Sequence, residues 1–378
     1  MRISIISGAE IVSGKEIVAL ELGQGLRSLG HDITYITGIA GNGDFRSRLT
    51  AQGFPWQADH LGFISAMLTW KYIRKTTGQL LQVPGLWRRY GRFLKQQKPD
   101  HIIHSSWHHQ LLLWPFLSPK RDWLWLHEVL PDKPQYRRVF RWLSNRLRGF
   151  VPVSAAVARS LTQLGVPAKK IHVIHNGMTD PAPFRQTALT NDSSARIGIV
   201  GQVAEWKGHH DLLEALSSVV RTHSNAEMHI FGSPREGYEQ ILKDQARNLG
   251  LASHLIWHGF VADRNQVYEN LDICAVPVPV MATEALPTVA IEAAFFSLPV
   301  VASRRGGLPE IIEDSVTGFL VEPGNKEELA ARLCDLLESV ELRKKLGGAA
   351  RDRAVVYFNQ ERFAGEFENL LSLKHTPS

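Results

Sequence analysis

Cysteine is almost absent: the 378 residues hold two, Cys274 and Cys334. A disulfide framework is excluded as a source of stability, and no Cys/His spacing of a zinc site accompanies the pair. Long hydrophobic runs are missing as well. The most apolar long stretch, 274–302, is broken by Pro277, Pro279, Pro287 and Pro299 and carries Glu284 and Glu292, which makes it a poor membrane span. The chain opens MRISIISG, already strand-like, with no charged-then-apolar leader before it, so a cytoplasmic protein is expected. Acidic residues are lacking from one whole segment: Gly62 to Pro99 holds eight Lys/Arg and no Asp or Glu. Internal repeats and low-complexity tracts are also absent.

What is present is the balance of a soluble globular enzyme, 44% hydrophobic and 21% charged. The length exceeds one ordinary core and suits two domains of roughly 180 residues. Charge divides along the same line. Residues 1–186 carry 25 Lys/Arg against 11 Asp/Glu, a balance of +14; residues 187–378 carry 18 against 26, a balance of −8. Two domains with different partners are expected, the basic one drawn to something anionic.

Short β-branched runs alternate with amphipathic segments. Strands are predicted at Ile3–Ser7, Ile33–Thr37, His101–His104, Trp123–Leu126 and Phe150–Val153. After a break they resume at Arg196–Val200, Glu227–Phe231, Leu255–Trp257, Ile273–Val276 and Pro299–Ala302. Helices are expected over Glu16–Leu29 and, at the far end, Gln360–Leu373. Alternation of this kind means parallel sheets covered on both faces. The break, TDPAPFRQTALTNDSSA at 179–195, has the composition of a linker. The expected fold is α/β, two doubly wound Rossmann-like domains facing a cleft, with ligands at the carboxyl ends of the strands. The domains are placed at 1–180 and 196–358, with a linker at 181–195 and residues 359–378 packing back on the first domain.

The loop after the first strand invites a phosphate reading and then fails it. Five residues, not four, separate Gly8 from Gly14, and Glu16 stands where a P-loop needs a Ser or Thr hydroxyl. The GxGxxG fingerprint is absent. A glycine-bearing loop at a helix start can still offer amides to an anion. The second half is more specific. IGIVGQVAEWKG at 197–208 reads strand, glycine turn, then Lys207. In MATEALPTVAIEAAF, Pro287 is placed as the first helical residue, which leaves Glu284 in the loop and Glu292 within the helix. The N–H groups of Thr288 and Val289 then point out of the helix start, ready for a phosphate. Sugar hydroxyls need charged acceptors at fixed positions, which the two glutamates supply.

Taken in order, these blocks resemble the GT-B-fold retaining glycosyltransferases of family 4. The similarity runs nearly end to end: LGQGLRSLGHDITYIT, PDHIIHSS at 99–106, LHEVLPDKP at 126–134, VSAAVARSLTQLGVPAKKIHVIHNGM at 153–178, VGQVAEWKG at 200–208, the glutamate pair, and VVASRRGGLPEIIEDSVTGFLVEPGN at 300–325. The resemblance implies transfer of a hexose-type sugar from a UDP- or GDP-sugar to a glycan or lipid-linked acceptor, with retention and without a metal or other cofactor. It implies that Gly14 approaches the donor diphosphate, that His127 supports the reacting centre and that Lys207 is the cation on the leaving diphosphate. Glu284 would contact the sugar hydroxyls and Glu292 the ribose. Gly259, Phe260 and Val261 would read the base through backbone groups, with Leu286, Thr288 and Val289 completing the donor site. One position departs from the pattern. Gln202 stands where the family usually has arginine, which removes a full positive charge; Lys15, Arg235 and Arg304 are the cations offered in its place.

The basic segment, Lys71, Arg74, Lys75, Arg88, Arg89, Arg92, Lys95 and Lys98, is interleaved with Phe63, Trp70, Tyr72, Trp87, Tyr90 and Phe93. A second run from Lys133 to Arg148 adds Arg137, Arg138, Arg141 and Arg146 with Tyr136, Phe140 and Trp142. Basic and aromatic side chains on helices suit an anionic membrane surface, each charge contributing about 1 kcal/mol close to it. A solvated face over ordinary buried aromatics is the alternative. No nucleic-acid motif accompanies the charge, and none is expected as a partner. The triplet His104, His108 and His109 lacks a suitably spaced carboxylate, so packing is expected there rather than a metal. Three further readings stay open: a sugar-nucleotide epimerase of the same fold, a sugar-nucleotide binding protein without turnover, and a nucleic-acid binder, which would need an affinity that falls steeply as salt rises.

Overall fold

The computed structural model describes residues 1–8, 14–40, 43–62, 70–181 and 195–373, with the backbone alone at 70–75 and 195. Most of the 181–195 linker, the residues between Gly8 and Gly14, Phe63, and the side chains of Trp70, Lys71, Tyr72, Arg74 and Lys75 lie outside that description. The chain forms two compact units, Met1–Met178 with Gln360–Ser378, and Thr179–Asn359.

The first unit is built on six strands: β1 (Arg2–Ile6), β2 (Asp32–Gly38), β3 (Trp56–Asp59), β4 (His101–His104), β5 (Asp122–Leu126) and β6 (Gly149–Pro152). They lie parallel in the order β3-β2-β1-β4-β5-β6. The second unit has β7 (Ala195–Val200), β8 (Ala226–Phe231), β9 (Leu255–Gly259), β10 (Ile273–Val276), β11 (Val300–Ser303) and β12 (Gly318–Val321), ordered β12-β11-β10-β7-β8-β9. Read from β9, the second order repeats the first. In each sheet the winding reverses between the first and fourth strands, β1/β4 and β7/β10. That is where a doubly wound sheet opens a crevice at the carboxyl ends of its strands.

The strands pack because they are apolar on both faces, as buried parallel strands must be. β5 is the clearest case, with Trp123, Leu124, Trp125 and Leu126 all buried. In the first unit Tyr90, Phe93 and Leu86 of the helix Trp70–Gln97 join Ile6, Ile36 and Ile102 in one core cluster, and Trp87 packs against it. In the second, Ile197, Ile199, Met228 and Ile230 meet Leu212, Leu216 and Leu333.

The helix Gln360–Ser372 belongs to the first unit although the chain has meanwhile built the second. Its Phe363 and Phe367 are buried against Trp125, with ring centroids 5.8 and 5.6 Å away. Gln360 Nε2 donates to Glu21 Oε2 at 2.7 Å and His31 Nε2 meets Glu368 Oε1 at 3.1 Å, tying it to the helix Gly14–Ser28 and the turn after it. Gly25 is a glycine for a reason of space: a Cβ there would come within 2.6 Å of Ala364 Cβ.

The basic segment divides into paired or buried residues and exposed ones. Arg89 is not a free surface cation; its guanidinium lies 2.6 Å from the buried carboxylate of Asp59. Tyr90 and Phe93 are core, and Trp87 Nε1 donates to Leu112 O at 2.8 Å. Arg88, Arg92 and Lys95 are exposed, and so are Leu80 and Leu81 on the same helix. In the helix Pro134–Ser144, Arg137, Arg138 and Arg141 face outward over a buried Phe140, with Arg137 paired to Asp132. No helix of the described residues is long and apolar enough to cross a membrane.

Candidate functional site

Lys207 and Glu284 meet at the second unit's switch point, whereas Gly259, Phe260 and Val261 lie at the end of its edge strand β9. β7 ends at Val200 and the chain turns through Gly201 and Gln202 into a short 3-10 turn, Glu205–Lys207. β10 ends at Val276, and the loop after it reaches Glu284 before the helix Thr288–Phe295 begins. Adjacent strands thus deliver Lys207 and Glu284 to one place. Lys207 Nζ lies 2.6 Å from Glu284 Oε1, and each side chain keeps about a fifth of its exposure. The pair is charge-assisted, accessible and electrically neutral.

Two glycine constraints hold this geometry. Gly208, next to Lys207, has φ +79°, and a Cβ there would fall 1.6 Å from Pro277 O. A Gly208→Ala variant is expected to lose about 3 kcal/mol or more, from left-handed backbone and a clash with main chain that cannot rotate away. Urea denaturation measures it; an unchanged midpoint would show that the turn relaxes freely. On the other side Gly307 N–H donates to Glu284 O at 3.0 Å, and Gly306, at φ +62°, leaves that same carbonyl no room for a Cβ.

Pro287 is the N-cap of the helix rather than its first residue, which is Thr288. The Pro287 ψ of 117° is extended and not helical. No side chain caps this end, and Thr288 and Val289 remain half-buried at the helix start while Leu286 is buried. Glu292 lies one turn further along and is itself buried. Its Oε2 accepts from Tyr268 Oη at 2.8 Å and its Oε1 lies 3.3 Å from Arg264 Nε. Burial, reinforced by that carboxylate, pushes the Tyr268 phenol well up and the Cys274 thiol up to about 12. Glu292 is therefore a fixed acceptor held by two residues from the segment after β9. Neither Arg264 nor Tyr268 stands out in the sequence. They open and close a short helix, Arg264–Tyr268, which carries no motif and reaches Glu292 only through the fold.

Gly259 has φ +67°, and its carbonyl accepts from Gly232 N–H at 2.7 Å. The sheet thus already uses one of the backbone groups expected to read a base. Phe260 is 67% exposed and Val261 is half-buried. Gln202 is exposed. Of the cations offered in its place, Arg304 is engaged by Asp314 and Glu322. Arg235 lies in the loop beside Gln202, and Lys15 belongs to the first unit.

In the first unit Gly14 is the first residue of its helix. His127 follows β5. The residue keeps partial exposure, but its Nε2 is enclosed and has no hydrogen-bond partner among the described residues. Burial, with the Lys15 ammonium adding to it, holds the imidazole well below its ordinary range, so it is neutral at pH 7. An enclosed, neutral ring nitrogen can exchange a hydrogen bond with a hydroxyl. Beside it, Trp107 Nε1 donates to Glu128 Oε1 at 3.1 Å, a pairing the sequence did not suggest. His104 is spent on a buried contact with Asp122, 2.9 Å away. Among the described residues no group of three or more His, Cys, Asp or Glu is arranged to hold a metal ion.

Comparison with known proteins identifies the family and the fold. A family described as Glycosyltransferase Family 4 matches residues 12–180, and one described as Glycosyl transferases group 1 matches 182–353. Spore coat protein SA of Bacillus subtilis is 26% identical over 291 residues, 74% of each chain. The N-acetyl-alpha-D-glucosaminyl L-malate synthase of Bacillus anthracis is 24% identical over 249 residues, 64% of each. Among solved structures, Anabaena HepE in complex with UDP superposes with a TM-score of 0.79 at 22% identity, covering 98% of this chain and 100% of that one. Two consecutive family matches, and the GT-B fold behind them, place the chain in the family 4, group 1 glycosyltransferases.

Proposed function

We propose that the protein transfers a hexose-type sugar from a nucleotide-diphosphate donor to a glycan or lipid-linked acceptor, with retention at the anomeric carbon. The observation that carries this reading is the Lys207–Glu284 pair at the switch point, beside an uncapped helix start. Lys207 and the Thr288 and Val289 amides would take the charge that builds on the diphosphate as its bond to the sugar breaks. Glu284, freed from Lys207, would accept from sugar hydroxyls, and Glu292 from the ribose. The acceptor oxygen forms the new bond on the face the diphosphate leaves, and its proton passes to a diphosphate oxygen. No enzyme nucleophile or metal is required. The family resemblance assigns neutral His127, in the first unit, to support of the reacting centre. UDP, held by the Anabaena relative, is the first base to try, with GDP beside it.

Thermal unfolding with a panel of UDP- and GDP-sugars tests the reading. A donor at a hundred times its dissociation constant stabilises by about 2.7 kcal/mol. A shift with one base series is expected, and it should vanish in Lys207→Ala. No shift with any donor would remove the donor site.

The acceptor side of the reading includes contact with an anionic membrane surface through Arg88, Arg92 and Lys95, beside exposed Leu80 and Leu81. Changing those three cations to Glu should weaken binding to vesicles containing anionic lipid. Arg89 is left in place, because its loss would strand the buried Asp59 carboxylate. Unchanged binding would favour a merely solvated face.

A further inference from the structure

A diphosphate carries several negative charges, yet the pair waiting at the switch point is neutral, and the turn beside it presents the uncharged Gln202. A second cation lies one loop away. The turn after β7 is zipped to the turn after β8. Gly201 N–H donates to Phe231 O at 2.9 Å, Val203 N–H to Ser233 O at 3.0 Å, and Arg235 N–H to Val203 O at 2.9 Å. Gly232 is so close that a Cβ there would lie 1.8 Å from Gly201 O. Arg235 is thereby fixed, at its backbone, next to Gln202. Its side chain reaches back over the turn that carries Lys207. The guanidinium carbon is 5.8 Å from the centre of the Trp206 ring, and Nη1 lies 3.1 Å from both oxygens of Glu205. Both Arg235 and Glu205 are about half exposed, so the contact is weak enough to exchange for a stronger anion.

We propose that Arg235 is a diphosphate-binding residue that supplies, from the loop after β8, the positive charge absent at position 202. In the free protein Glu205 and Trp206 hold the guanidinium beside the site. When the donor arrives it moves from the carboxylate to the phosphate oxygens, where its planar fork makes two parallel hydrogen bonds. This rests on the donor reading above.

The test titrates the full chain with UDP, with GDP and with inorganic pyrophosphate, which reports the phosphate contacts without a base. Arg235→Ala should weaken binding of pyrophosphate and of the preferred nucleotide by about tenfold. Adding Gln202→Arg to that variant should restore most of the loss, and Glu205→Gln should bind at least as tightly as the native protein. Undiminished binding by Arg235→Ala would overturn the proposal. So would a loss that Gln202→Arg leaves untouched while Glu205→Gln reproduces it, since Arg235 would then act only by bracing the turn. If the native protein binds none of the three probes, the donor reading itself fails and the proposal falls with it.

Discussion

Lys207→Ala is expected to lower sugar transfer by about a hundred- to a thousandfold while leaving the protein folded. Removal of one group aimed at developing charge typically costs that much. The fold should survive because the lysine stands at a turn with its side chain partly in water, not within either core cluster. Glu284→Ala should have a similar effect for a different reason: it removes the acceptor proposed for the sugar hydroxyls and also the partner that holds the ammonium in place. The double variant should therefore lose much less than the product of the two single losses, as groups that act as a unit do. Transfer assays on the three variants, with melting temperatures alongside, check this. Full activity in either single variant would remove the site assignment.

Acidification is expected to weaken both units well before carboxylates titrate. His101, in the first, and His209, in the second, are buried, and burial lowers each imidazole to about 4. The unfolded chain takes up these protons near pH 6.5, and the folded chain does not until about pH 4. Between those values the unfolded state binds more protons, so stability falls as pH falls. At about pH 5 the loss is about 2 kcal/mol for each histidine, a large share of the stability of an ordinary domain. Burial raises the Asp211 carboxyl, which works the other way, but from a lower starting pH. Urea denaturation at about pH 7.5 and about pH 5 measures the difference, and His209→Gln should flatten the dependence of the second unit. Equal stability at both pH values would show that water reaches these rings.

The strand–helix alternation made most of the sheets legible because buried parallel strands are continuous apolar runs. β3 and β12 escaped for different reasons. WQAD alternates with polar residues because β3 is an edge strand, and GFLV is short and opens on a glycine, which in isolation reads as the end of a turn. Lys207, Glu284 and Glu292 were visible because their spacing to glycines and Pro287 is local. Their partners were not. Arg264 and Tyr268 reach Glu292 only after the chain has passed through β10, and Arg89 finds Asp59 across thirty positions that read as surface charge.

The helix Gln360–Ser372 has a consequence for biosynthesis. A ribosome releases the first unit's six strands early, but the aromatic pair that covers Trp125 emerges only after the whole second unit has been made. The later unit is thus complete in sequence before the earlier one, reversing the usual order in which nascent domains mature. A chain interrupted near its end would carry its lesion in the half translated first.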